Sequence, residues 1–197
     1  ARGANSVVGL FMGTGLGGGI VLNNQLVTGE NHQAAELGHM IITPGGRPCG
    51  CGHRGCLEAY ASKSGMSRAL IHAVNCQGRE TALTNLCQGD LTRLRSGALR
   101  KAYLAGDPLC KEVLHQAVEY LGYGVGSFIT MLGPHMVVLG GGVMEALGEE
   151  LLPLVKEAAS RAVFPASVLA DTNICLAALE DDAVALGAVA WALRNIG

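Results

Sequence analysis

The densest group of reactive side chains in the sequence is His39, Cys49, Cys51 and Cys56, spaced H-x9-C-x-C-x4-C. Three thiolates and one imidazole complete a tetrahedral set for zinc and leave no position for a catalytic water, so such a site is structural. It would pin Pro44 to Gly55, a run too rich in Gly and Pro to hold a shape of its own. His53 lies inside the run and competes with His39 as the fourth ligand. The plainer reading is three incidental thiols, and their crowding into eight positions argues against it.

Carboxylates flank this loop. Glu36-Leu37-Gly38-His39 leads into it, and Glu58 follows its last cysteine. Closing the loop on a metal would bring Glu58 back toward Glu36, giving two carboxylates and an imidazole near one point. Carboxylates accept pairs of hydroxyl hydrogens, which suits a polyol such as a sugar. Taken singly, Glu58 also reads as a first-turn helix carboxylate favoured by the dipole, and Glu36 as a solvated loop charge.

Two glycine runs could approach a phosphorylated ligand. Gly13-Thr14-Gly15-Leu16-Gly17-Gly18-Gly19 has the spacing of a dinucleotide fingerprint, but that fingerprint needs a helix directly behind it. Here Ile20-Val21-Leu22-Asn23-Asn24 follows, a strand and a turn, so that reading fails. A glycine-rich turn between strands still offers several backbone N–H groups and the Thr14 hydroxyl to a phosphate. An ordinary hairpin is the alternative. Later, Val137-Val138-Leu139 runs into Gly140-Gly141-Gly142, a buried strand ending in glycines before a helix, whose N-terminus is open to an anion. A tight strand-to-helix turn explains the same residues.

The elements that must position these groups read as α/β. Strands are expected at Ser6 to Met12, Gly18 to Leu22, Gln25 to Thr28 after the Asn23-Asn24 turn, His39 to Thr43, Met136 to Leu139 and Ile174 to Ala178. Leu57 to Ser62 begins a helical stretch that resumes after Ser64, and Gln77 to Gly106 is read as helical. Asp107-Pro108 is a strong helix start, with a carboxylate N-cap and proline in the first position, and the helix runs to about Leu132. Gly122, Gly124 and Gly126 each cost it about 1 kcal/mol relative to Ala, which points to close approach of another helix or a ligand. A further helix is expected with Pro153 in its first turn, ending by Pro165. Ala183 to Asn195 closes the chain behind an Asp181-Asp182 cap.

Composition narrows the class. The chain has 197 residues, 49% of them hydrophobic and 15% charged, enough for one packed domain and too apolar to be disordered. A net charge of −2 offers no basic stripe for nucleic acid. No apolar run reaches bilayer length, and Ala1-Arg2-Gly3 has no apolar stretch behind it, so neither a membrane span nor a secretory signal is expected in these residues. Seven cysteines, three of them clustered, read as a metal loop in a reducing compartment, hence a cytoplasmic protein. Cys76, Cys87, Cys110 and Cys175 read as small apolar fillers.

Together the motifs resemble the ROK family (repressors, open reading frames and sugar kinases). The residues that carry the resemblance are Gly13–Gly19, Glu36-x-Gly-His39, Cys49-Gly-Cys51-Gly-x-x-Gly-Cys56-x-Glu58, Val137–Val143 and Glu180-Asp181-Asp182-Ala183-Val184-Ala185-Leu186-Gly187-Ala188. They occur in order over nearly the whole chain. The resemblance implies the C-terminal lobe of an actin-like ATPase, the ribonuclease-H-like fold of hexokinases, across residues 1–197. It implies phosphoryl transfer from ATP with magnesium to a sugar hydroxyl, the 6-OH of a hexose or N-acetylhexosamine. Glu36, His39 and Glu58 would hold the sugar, His39 also binding structural zinc with Cys49, Cys51 and Cys56. Gly13, Thr14 and Gly15 would take ATP phosphates, and Gly141 and Gly142 would flank the adenosine.

The family's base is an Asp in an Asn-Asp pair, accompanied by an Asp-Gly-Gly-Thr loop, and neither occurs here. Asp90, Asp107, Asp171, Asp181 and Asp182 fall in other contexts, so the catalytic Asp is expected in a preceding lobe. Glu180 stands where the family more often has glycine. The alternatives are the sugar-sensing lobe of a ROK repressor, with a helix-turn-helix ahead of it, and a stand-alone zinc-stabilised sugar-binding domain. A homodimer is expected, with the glycines of 122–126 suited to helix packing.

Overall fold

The computed structural model describes residues 1, 3–179 and 182–195, leaving aside the side chains at 184, 194 and 195. Apolar alternation and turn chemistry build a five-stranded mixed sheet in the order β3-β2-β1-β4-β5. Its strands are β1 (Val7–Met12), β2 (Leu16–Leu22), β3 (Gln25–Leu26), β4 (Met136–Gly140) and β5 (Asn173–Leu176). The first three form an antiparallel meander. Asn23 and Asn24 both take positive φ, 49° and 63°, the geometry that primed hairpin turns demand. On its other edge β1 runs parallel to β4, and β4 to β5.

The register decides the site. Met12 pairs with Leu16, so the sequence Gly13–Gly19 is not one loop. Gly17, Gly18 and Gly19 lie within β2 opposite Phe11, Leu10 and Gly9, and the turn is Gly13-Thr14-Gly15 alone. Phe11 also pairs with Gly140. Both glycine turns therefore leave the sheet at the same end, where the parallel strands finish, the usual place for a ligand crevice in such sheets.

The helices are α1 (Lys63–Gln77), α2 (Leu83–Leu86), α3 (Ser96–Leu104), α4 (Pro108–Leu132), α5 (Gly142–Ser160), α6 (Ser167–Ala170) and α7 (Asp182–Asn195); α5 packs on β1, β4 and β5, and α4 packs on α5. The glycines of α4 are explained by packing. A Cβ on Gly122 would lie 2.8 Å from the Val155 carbonyl, and one on Gly126 would lie 2.7 Å from the Ala159 carbonyl, so α4 and α5 touch backbone to backbone. Gly124 faces the Leu57 side chain. All three are buried inside this chain, which removes them as a surface for subunit packing.

Asp107 caps α4 as the sequence requires. Its carboxylate accepts from Cys110 N at 2.8 Å, Ala82 N at 2.6 Å and Thr81 Oγ1 at 2.9 Å. Burial alone would raise its pKa; these bonds together outweigh burial and hold it below the ordinary carboxylate value. Stability from the ionised form is complete above the unfolded-state value near 4 and is lost as pH falls toward the lower folded value. Asp107→Asn in the full-length gene product should cost about 1–3 kcal/mol at pH 7 and flatten that acid limb. Urea melts of both proteins at pH 7 and pH 3 check it; a variant as stable as the wild type at pH 7 would contradict it.

Several expectations need correction. His39 to Thr43 is not a strand. Leu37–His39 forms a 3-10 turn, and only Ile41 makes a bridge, to Cys56, because the chain must bend into the cysteine loop. Gln77 to Gly106 is broken into α2, a 3-10 turn at Leu91–Arg93 and α3; Gly78, with positive φ, ends α1, and Gln88 and Gly89, also with positive φ, follow α2. Pro153 lies deep inside α5, not in its first turn, and the bend in that helix falls at Leu147, φ −137°. Cys76 is exposed and Cys175 half-buried, while Cys87 and Cys110 are buried as expected. Glu180 and Asp181, and with them the Asp181 half of the helix cap, lie outside the described residues.

Candidate functional site

The cysteine loop folds into a cluster. His39 and the three cysteines place one ligand atom each within 4.8 Å of one another. Cys49 Sγ stands 3.7 Å from His39 Nδ1, and Cys51 Sγ stands 3.7 Å from Cys56 Sγ. Four ligands at about 2.3 Å from a tetrahedral ion stand about 3.8 Å apart, so the spacing fits a closed metal centre. His53 Nδ1 lies 3.5 Å from Cys51 Sγ but is not part of the four-ligand group, which favours His39 over it. Burial raises the Cys49 thiol, and it pushes Cys56 up to about 12. Hydrogen bonds from His53 lower Cys51, the exposed member, to about 6.

Backbone bonds shape the loop around that group. Cys49 N donates to the His53 carbonyl at 2.9 Å, and Gly55 N to the Arg47 carbonyl at 2.8 Å. Gly55 has φ +85°, with the Thr43 carbonyl where a side chain would go. Tyr60 clamps the loop from below: its hydroxyl accepts from Arg47 N at 2.9 Å, the Arg47 guanidinium lies 4.8 Å over its ring, and Tyr120 stacks on it at 4.1 Å.

Glu58 joins the metal loop to the glycine turn. It sits on the 3-10 turn Leu57–Ala59, two residues past Cys56. Its Oε1 lies 3.5 Å from Cys49 Sγ, and its Oε2 accepts from Leu16 N at 3.0 Å. A Cβ on Gly15 would meet that carboxylate, so a side chain there would push Glu58 aside. The turn bearing Glu36 and His39 packs on β2 and on the turn bearing Glu58. Gly18 leaves room for Leu37, and Gly38 presses on the Leu16 carbonyl. Ala35 is held at φ +65°, a strained conformation for a residue with a side chain, directly before Glu36. Glu36 itself is exposed and His39 half-buried.

The two glycine turns meet as well. Gly141, φ +83°, packs so closely on Met12 that a Cβ would lie 2.7 Å from the Met12 nitrogen. Gly142 lies against the Ser96 hydroxyl. A cavity of about 340 Å³ opens beside Gly140, walled by Leu139, Met144, Gly148, Leu176 and Arg100. Gly141 and Gly142 border its neighbourhood without lining it. On the other side, α1 receives the Gly13–Gly15 turn: Lys63 N donates to the Gly13 carbonyl at 3.0 Å and Ser64 N to the Thr14 carbonyl at 3.1 Å. A second hollow, about 450 Å³, lies there between Thr14, Lys63, Ser64 and residues Thr92 to Arg95. Lys63, Arg93 and Arg95 carried no signal in the sequence, because isolated cations in unpatterned segments look like any solvated charge.

Among the described residues no helix is long and apolar enough to cross a membrane. Comparison with known proteins agrees with the geometry. The ROK family model matches residues 1–195. The chain is 33% identical over its full length to a glucokinase of Thermotoga maritima, of which it covers 61%. It is 32% identical over 74% of its length to an N-acetyl-D-glucosamine kinase of Yersinia pseudotuberculosis, covering 47% of that protein. Among solved structures it superposes on a ROK family glucokinase from Streptomyces griseus, in complex with glucose and AMPPNP, at a TM-score of 0.85 and 29% identity, covering 98% of this chain and 62% of that one. The chain thus spans less than two thirds of these relatives. Its mixed α/β sheet is that of the actin-like ROK sugar kinases, and with the cysteine loop, the paired glycine turns and a family match over nearly every residue, the chain belongs to the ROK family.

Proposed function

We propose that this chain is the C-terminal lobe of an ATP-dependent ROK sugar kinase that phosphorylates a hexose or N-acetylhexosamine on its 6-OH. The observation that carries the reading is Glu58, whose two carboxylate oxygens reach toward Cys49 in the metal loop and Leu16 at the glycine turn. A sugar held there lies next to the turn that would take phosphate, and holding two reactants in register is most of what phosphoryl transfer asks of a protein. The relatives' names, glucokinase and N-acetyl-D-glucosamine kinase, support the same class.

In this reading Glu36, His39 and Glu58 accept from sugar hydroxyls. Gly13, Thr14 and Gly15 bind the phosphates of magnesium-ATP, and the 340 Å³ cavity beside Gly140–Gly142 receives the adenosine. Zinc, bound by His39, Cys49, Cys51 and Cys56, would supply only structure, since no ligand position stays open. The proton from the sugar hydroxyl goes to an aspartate outside these residues. Asp90 is engaged by Arg93 and Thr92, and Asp107 caps α4. The protein is cytoplasmic and dimeric, with an interface other than the buried glycines of α4.

The test is a coupled ADP-release assay on the full-length gene product with a panel of hexoses and N-acetylhexosamines. ADP release with at least one sugar is expected. No release with any of them, together with sugar-dependent binding to DNA, would overturn the kinase in favour of a repressor's sensing lobe.

A further inference from the structure

The 450 Å³ hollow beside Thr14 has a wall that the family motifs do not account for. Its lining is Thr14, Lys63, Ser64, Thr92, Arg93, Leu94 and Arg95: three cations, three hydroxyls, one apolar side chain and no carboxylate. A concave surface of one sign focuses its field and concentrates counter-ions of the opposite sign. Neither Lys63 nor Arg95 makes an ion pair among the described residues. The nearby carboxylate, Asp90, is committed: it accepts from Thr92 N at 3.0 Å and pairs with Arg93 Nε at 3.2 Å. That pairing holds Arg93 by one edge of its guanidinium.

The cations are fixed relative to the glycine turn by the fold. Ser67 Oγ in α1 donates to the Leu91 carbonyl at 2.6 Å, tying the segment Leu91–Arg95 to the helix that carries Lys63. The same helix holds the Gly13 and Thr14 carbonyls on its first N–H groups. Those N–H groups are therefore spent on the turn, and the start of α1 has none left to offer an anion. Positive charge at this place has to come from side chains. Ser96, next to Arg95, lies against Gly142, so the segment that carries the cations also touches the second glycine turn.

We propose that Lys63, Arg93 and Arg95, with the Thr14 hydroxyl, bind the phosphate chain of the nucleotide. This rests on the kinase reading for the identity of the ligand, but the recognised chemistry is an oligophosphate in general. The guanidinium of Arg95 and the ammonium of Lys63 replace the charge compensation that backbone N–H groups alone supply in a glycine turn. The arrangement predicts that phosphate affinity depends steeply on ionic strength, and that sugar affinity does not.

The experiment compares the full-length wild type with Lys63→Met, Arg95→Met and the double variant. Each single change should raise KM for magnesium-ATP about tenfold, as loss of a charged hydrogen bond does, and the double change more, with KM for the sugar within about twofold of wild type. Arg95→Lys should restore most of the affinity, which a merely structural role would not distinguish from Arg95→Met. A double variant whose KM for magnesium-ATP stays within about twofold of wild type overturns the proposal. Calorimetric titration with inorganic tripolyphosphate separates this from the kinase reading. Should the wild type phosphorylate no sugar yet bind tripolyphosphate, with binding lost in the double variant, the pocket stands and the kinase reading falls. Absence of tripolyphosphate and nucleotide binding in the wild type, or equal binding in the double variant, overturns the pocket.

Discussion

Cys56→Ser should empty the metal loop and with it abolish sugar binding. Cys56 is fully buried, its Sγ 3.7 Å from Cys51, and its backbone makes the bridge to Ile41 that closes the loop. Glu58 follows two residues later, so whatever holds Cys56 holds Glu58. Metal analysis of the gently purified wild type is expected to find about one zinc per chain, and of the variant less than a tenth of that. Binding free energy of a structural zinc is folding free energy for the segment it orders. A loss of about 3–5 kcal/mol, roughly 10 °C in thermal midpoint for a domain of this size, is the expected scale. Cys51→Ala, at the exposed corner of the cluster, should likewise weaken sugar binding by slackening the loop. Cys76→Ser, exposed on α1, should change neither metal content nor binding. A wild type without zinc would remove the metal from the account, and a Cys56→Ser protein that still binds sugar would separate Glu58 from the loop.

Gly38→Ala is expected to have a comparable effect on function with a smaller one on stability. Gly38 lies between Glu36 and His39 with its Cα pressed on the Leu16 carbonyl, and a methyl group there overlaps that oxygen and crowds the Leu16 Cβ at 3.2 Å. The obstacle is backbone of β2, which cannot rotate away as a side chain would. The turn Leu37–His39 must lift instead, carrying Glu36 away from the sugar that it is proposed to hold and His39 away from the three cysteines. A displacement of about 1 Å at such a site costs on the order of 100-fold in turnover efficiency, which is the loss expected in kcat/KM for the sugar. Gly97→Ala provides the contrast. Gly97 faces open space in α3, so an added methyl should leave kinetics unchanged and favour the helix slightly. Equal kinetics for Gly38→Ala and wild type would show that the turn is not held as the structure holds it.

The pattern H-x9-C-x-C-x4-C names its own chemistry, because thiolates and imidazole at that density have few uses besides binding a metal. The start of α4 was equally legible, since Asp107-Pro108 satisfies the N-cap and the first helical position by local chemistry alone. The same holds for the Asn23-Asn24 turn and for β4 running into Gly140. Local signals of this kind depend on neighbours in the chain, and the sequence contains those neighbours.

Sequence and structure differ where the deciding contact is distant. His39 to Thr43 has strand-like residues, but it lacks a partner strand and bends to deliver Cys49 and Cys56 to His39. The glycines of 13–19 look alike in sequence and differ in use. Gly13 and Gly15 make the turn, Gly15 clears Glu58, Gly18 admits Leu37, and Gly17 and Gly19 border open space. The glycines of α4 announced a close approach without saying to what, and α5 and Leu57 proved to be the partners.

The sequence by itself therefore determined which chemistry the side chains are suited to: a cysteine and histidine loop suited to a metal, carboxylates suited to hydroxyl groups, and glycine turns suited to phosphate, on an α/β frame. Only the tertiary structure decided that Glu58 spans the metal loop and the glycine turn, that His39 and not His53 completes the cluster, and that Lys63, Arg93 and Arg95 surround Thr14. The physical reason is the same for each. Residue type sets which interactions a side chain can make, whereas which of them it makes depends on atoms that register and helix packing bring from far along the chain, as from Gly140 to Phe11.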